Sequence, residues 1–115
     1  MNLRIKRAYE PASKTDGKRI LVDRLWPRGV SKEKLDAEWL KDIAPSAALR
    51  QWFGHRPERW EGFLQRYFAE LDANPGPLAT LRAHLREGRV TLVYGARDPE
   101  HNQAVALAAY LKKHA

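Results

Sequence analysis

Ile20-Leu21-Val22-Asp23-Arg24-Leu25-Trp26-Pro27-Arg28-Gly29 opens as a run of β-formers and breaks off in a carboxylate, two guanidinium groups, an indole and a turn. That order predicts a buried strand, Arg19 to Asp23, whose last residues emerge at the edge of a sheet, where open α/β folds keep their ligands. A second run, Val90-Thr91-Leu92-Val93-Tyr94, is almost unbroken in β-forming residues and predicts a central strand covered on both faces. If the two strands are parallel neighbours or near neighbours, their exits share one rim, and the polar residues that follow each run meet there.

The remaining elements arrange themselves around these two. Leu3 to Arg7 alternates apolar and basic residues, the period of a strand with one face on a core. Ser31 suits the cap of a short helical turn near Lys32–Asp36, and Glu38–Ile43 reads as a third strand. Ser46 caps a helix over Ala47–Phe53 that Gly54 ends. The main core helix is predicted to start at Pro57. Its Trp60, Phe63, Leu64, Tyr67, Phe68 and Leu71 recur at three and four residues, an apolar stripe that marks core rather than a stacking platform. Gly62 inside that helix predicts close approach of another element. Pro77 opens the next helix and Gly88 closes it. Asp98-Pro99 is expected to cap the last helix, with Ala104, Leu107, Ala108 and Leu111 inward. The order predicts an α/β fold, a small, mostly parallel sheet of about four strands flanked by helices.

At 115 residues the chain is expected to form one domain. No apolar run reaches the length of a membrane span and the first residues lack a secretory signal, so no membrane partner is expected and the cytoplasm is the expected compartment. With no cysteine, thiolate metal sites and thiol nucleophiles are excluded. The formal charge is +7, and residues 1–30 hold eight Lys or Arg against three acids. A basic segment of that kind attracts phosphates, of nucleic acid or of a small ligand, or simply keeps a protein soluble.

Two polar clusters follow the two strands: Asp23, Arg24, Trp26 and Arg28 after the first, and Tyr94, Arg97, Asp98, His101 and Asn102 after the second. Asp23 is a candidate acid or orienting carboxylate, or else the partner of a neighbouring arginine that fixes the loop. Arg24 or Arg28 can clamp a carboxylate or phosphate through the guanidinium fork. Trp26 either walls a ligand or plugs the core. Tyr94 either donates to a ligand or meets water at the rim. His101 and Asn102 are placed in the first turn of the last helix, where the dipole favours an anion, and His101 is the candidate general base. His55 and His84 read as structural or exposed. No metal site is assigned, because Asp98 and His101 lack a third ligand in any known spacing. No phosphate loop, dinucleotide fingerprint or nucleophile elbow occurs, and no cofactor is assigned.

Leu21 to Gly29, Ala44-Pro45-Ser46 with Leu49-Arg50, Thr91 to Tyr94, and His101-Asn102 together resemble the YeaO-like family of small bacterial proteins, a branch of the domain-of-unknown-function family numbered 488. The resemblance implies an α/β fold and a shared site without an assigned activity. Relatives outside this branch carry a cysteine after the last strand and a Cys-His-Arg group in the following helix, where this chain has Tyr94 and Asn102-Gln103-Ala104, so a thiol mechanism cannot operate here.

Three functions fit these residues. The first is a pocket at the strand ends for a small molecule or anion, with or without catalysis, built from Asp23, Arg24, Trp26, Arg28, Tyr94, Arg97, His101 and Asn102. The second is a nucleic-acid binder using the basic N-terminal third, which lacks any helix-turn-helix reading pair. The third is an interaction module presenting a sheet edge or Trp39 and Trp52. The sequence assigns no oligomeric state.

Overall fold

The computed structural model describes residues 1–114. Strands β1 (Leu3–Arg7), β2 (Lys18–Leu21), β3 (Glu38–Trp39) and β4 (Val90–Tyr94) form one sheet in the order β1-β4-β2-β3. Every pairing in it is parallel, with Ile20 opposite Leu92 and Ile5 opposite the same residue from the other side. Five helices accompany it: α1 (Lys32–Leu35), α2 (Ala47–Phe53), α3 (Trp60–Asp72), α4 (Pro75–Glu87) and α5 (Gln103–Lys113). The expected α/β fold with a small parallel sheet is therefore the observed one. Because all strands run the same way, their C-terminal ends share one rim.

Side-chain alternation along the central strands divides the interior in two. Ile20, Val22, Val90, Leu92 and Tyr94 join the larger cluster, in which the buried residues of α2 to α5 meet the sheet. Leu21 and Val93 point the other way and pack with Ala8 and Leu35 under the thin layer that carries α1. On that second face Asp16 accepts from Lys6 at 3.2 Å and from Arg19 at 2.7 Å, while Arg19 Nε donates to the Leu35 carbonyl at 2.8 Å. Burial by itself would raise the Asp16 carboxyl, but the Ser13 N–H, Arg19 and Lys6 outweigh it and hold the group below its ordinary range.

The structure corrects five boundaries. The second strand is Lys18–Leu21 and ends two residues short of Asp23. The third strand ends at Trp39, and Lys41–Ile43 is a 3-10 turn. Ile43 leaves the sheet plane to bury its side chain in the larger cluster, and its carbonyl accepts the Tyr67 hydroxyl at 2.7 Å. Pro57 opens a 3-10 turn, Pro57–Arg59, and the α-helix proper begins at Trp60. Pro75, rather than Pro77, begins α4, since either proline fits a first turn whose N–H groups have no partner inside the helix. The last helix begins at Gln103, capped by Asn102, whose side chain accepts the Val105 N–H at 3.0 Å. Asp98 does not cap that helix. Its carboxylate accepts from the N–H groups of Glu100 and His101 and closes a separate turn ahead of it.

The main helix packs as its spacing requires. Phe63, Tyr67 and Leu71 are buried, with Trp60, Leu64 and Phe68 half-buried against them. A Cβ at Gly62 would stand 2.7 Å from the Trp52 ring, so this glycine lets α2 and α3 approach. No helix among the described residues is long and apolar enough to cross a membrane.

Candidate functional site at the strand C-terminal rim

A cavity of about 620 Å³ opens at the C-terminal rim. It arises because β2 pairs directly with β4, so the chain leaving Leu21 and the chain leaving Tyr94 diverge from adjacent points. Val22 still donates to the Val93 carbonyl at 3.1 Å, and the first residue past that bond is Asp23.

Asp23 is the half-buried floor of the cavity. Its Oδ2 accepts the Gly95 N–H at 2.8 Å and its Oδ1 accepts the Gln103 side-chain amide. Burial raises its carboxyl to about 6, against the lowering effects of the Gly95 N–H, the Gln103 amide and the charge of Arg50. Gly95 favours this contact, because a Cβ there would stand 3.0 Å from Oδ2 and press on the carboxylate. One carboxylate thus ties the exit of β2 to the exit of β4 and to the first residue of α5.

His101 lines the same cavity. Its Nδ1 lies 2.9 Å from Asp98 Oδ2, and since a carboxylate only accepts, Nδ1 carries the proton. The Asp98 carboxyl is held below its ordinary range by the Glu100 N–H first and the His101 imidazole second. The imidazole stands edge-on to Trp60 with centroids 5.2 Å apart, so its orientation is set from two sides. No three His, Asp or Glu side chains among the described residues converge as metal ligands.

The structure brings Asp23, Arg24, Trp26, Arg28, His101 and Asn102 to this cavity. Asn102 is buried there as the α5 cap, its amide donating to the Asp98 carbonyl at 2.9 Å. Arg24 is exposed and bonds Asp42 at 3.2 Å. Trp26 donates to the Val30 carbonyl at 2.6 Å and meets Trp39 edge-on at 5.4 Å, so it both walls the cavity and packs on the smaller cluster. No cis peptide bond occurs among the described residues, at Trp26-Pro27 or elsewhere.

Tyr94 and Arg97 lie elsewhere. Tyr94 shares a sheet face with Leu92 and is buried in the larger cluster, where burial raises its phenol. Arg97 is exposed on the loop and does not line the cavity.

Four polar lining residues escaped the sequence reading: Tyr9 just after β1, whose hydroxyl donates to the Arg28 carbonyl at 3.0 Å, Arg50 of α2, His55 just after it, and Gln103 of α5. Arg50 is half-buried and forms no side-chain hydrogen bond or ion pair among the described residues. His55 is exposed at the mouth with φ of 57°, a left-handed conformation that an ordinary residue adopts at a cost. The signal for Arg50 was its place in the family-like stretch with Leu49. For His55 and Gln103 no local signal existed.

Comparisons with known proteins place this chain in a family. A family model described as "Inactive DUF488-N3 subclade" matches residues 2–115. Among curated relatives, "Uncharacterized protein YeaO" of Escherichia coli is 41% identical over 113 residues, covering 97% of this chain and 98% of that protein. Uncharacterized proteins of Mycobacterium tuberculosis and Mycobacterium bovis are 41% identical over 110 residues, 95% of this chain and 92% of theirs. No solved structure matches. The family model covers nearly the whole chain and the relatives align along almost their full length: the chain belongs to the DUF488 family, in its YeaO-like branch.

Proposed function

We propose that the rim cavity binds a small organic molecule carrying an anionic group. The observation that carries this reading is Arg50, a half-buried guanidinium that faces the cavity with no carboxylate partner among the described residues. Exposed Arg28 stands at the mouth and adds positive charge, with the His55 imidazole beside the same opening. Phe53, Phe63, Trp26 and Pro27 supply apolar wall, the mixture of apolar lining and few convergent polar groups typical of small-molecule sites.

Binding without turnover suits the lining. It contains a carboxyl, Asp23, and an oriented imidazole, His101, but no Ser, Thr or Cys. The matching family branch is described as inactive, which agrees with a receptor rather than an enzyme.

The nucleic-acid reading is less well supported, because half of the eight N-terminal cations already pair with carboxylates of the protein. Lys6 and Arg19 bond Asp16, Lys18 bonds Glu38, and Arg24 bonds Asp42.

The test is a thermal-shift and native mass spectrometry screen against inorganic phosphate and organic carboxylates. A stabilising anion whose affinity falls about 10- to 100-fold in Arg50→Ala, the cost of a lost charged hydrogen bond, is the expected result. Arg97→Ala leaves that affinity unchanged. Equal losses in both variants, or no stabilising ligand at all, would overturn the reading.

A further inference from the structure

Asp23 and Arg50 face the same cavity, and the charge of Arg50 is felt at the Asp23 carboxyl. Yet the two form no ion pair, and Arg50 has no other acidic partner among the described residues. Of the other polar lining groups, Arg24 is held by Asp42 and His101 by Asp98, while Arg28 is exposed at the mouth. Inside that mouth remain one half-buried carboxylate and one half-buried guanidinium, opposite in sign, that line the same open space without pairing.

Resting on the anion-binding reading above, we infer that the ligand is a zwitterion of the amino-acid class with an apolar or aromatic side chain, its carboxylate on Arg50 and its ammonium on Asp23. A ligand with only an anionic group would satisfy Arg50 while placing like charge near Asp23. A purely cationic one would do the reverse. Asp23 retains acceptor capacity for the ammonium, since a carboxylate offers about four lone-pair sites and only two are used, by Gly95 and Gln103. Burial leaves that carboxylate under-compensated, so the attraction of a cation beside it offsets part of what burial costs. Phe53 and Phe63, their rings 4.6 Å apart, form an apolar wall for the ligand side chain. The cavity, about 620 Å³, lies within the usual span for small-molecule sites and holds the largest amino acids.

Isothermal titration calorimetry at pH 7.5 tests this with phenylalanine, tryptophan and leucine against two kinds of analogue. N-acetylation removes the cation, and amidation of the carboxylate removes the anion. The expected result is binding of at least one free amino acid, weakened at least about tenfold by either change. Asp23→Asn should erase the penalty for N-acetylation and leave that for amidation, whereas Arg50→Gln should do the opposite, with folding of both variants confirmed by circular dichroism. If 3-phenylpropionate or phosphate binds as tightly as phenylalanine, the zwitterion inference is overturned while the anion site stands. If none of the anions or amino acids binds the wild type, both are overturned.

Discussion

Asp23 should make the protein less stable at neutral pH than its own neutral isostere. In the unfolded chain an aspartic acid titrates near 3.9, whereas the native carboxyl is raised to about 6. Between those values the native state keeps a proton that the unfolded state has released. Stability from this group is therefore greatest below pH 4, falls as pH rises toward 6, and is level above. A tenfold change in proton affinity corresponds to about 1.4 kcal/mol, so the ionised carboxylate costs up to about 3 kcal/mol relative to the neutral acid. Asp23→Asn removes that cost. Its amide oxygen can still accept the Gly95 N–H, and Gln103 can rotate to accept from the new amide nitrogen. Thermal melts of both proteins from pH 4 to 8 should show nearly equal stability at pH 4 and an Asn variant more stable by as much as about 10 °C at pH 7.5. Parallel curves, or an Asn variant less stable at every pH, would refute the reasoning. They would mean that Asp23 contributes through its hydrogen bonds and that its charge is adequately solvated.

Three further substitutions probe the frame that holds the site. Gly17→Ala drives a Cβ into the Arg89 carbonyl oxygen at φ of 67°, and chemical denaturation should show a loss of about 2 kcal/mol or more. Asn102→Ala removes the α5 cap and the bond to the Asp98 carbonyl. The expected loss is about 1–2 kcal/mol, and the His101 imidazole should shift in NMR because the turn that carries it loosens. Gly62→Ala should destabilise by about 1 kcal/mol in urea melts, although alanine is the better helix former, because its methyl group meets the Trp52 ring at 2.7 Å. That ring is itself held, with the Arg66 guanidinium 3.8 Å from its centroid.

Much of the site could be read in one dimension because strand exits are local features. The turn from apolar to charged residues at Val22-Asp23 marks where β2 leaves the sheet, and the same change at Tyr94-Gly95 marks the exit of β4. Once the two are parallel neighbours, the meeting of Asp23 with Gly95 and Gln103 follows from geometry. The direction of Tyr94 could not be read this way. Five consecutive buried residues carry no polar marker of which face each one takes, and Tyr94 falls in step with Leu92 on the helix-covered side. Arg50 was hidden for a different reason. A charged residue on a short helix is usually solvated, and only the packing of α2 beside the rim turns it toward the cavity. The start of α5 was misplaced because Asp98-Pro99 and Asn102 are both good caps, and the choice depends on the fold. Asn102 is buried against the cavity, while Asp98 is committed to His101.

The strand order has a consequence for how the chain comes to be folded. β4 lies between β1 and β2, yet it is the last strand in sequence, and its first residue, Val90, pairs with Leu3 and Lys18 at once. A nascent chain that has not reached Val90 can form the short β2 and β3 contact but leaves β1 with no neighbour. The sheet therefore closes late, by insertion of its central member between two strands that must wait for it. Contacts so distant in sequence carry a large loop-closure entropy and slow folding. During that wait Ile20, Leu21 and Val22 lie unshielded along one side, the kind of apolar edge through which unfinished chains associate.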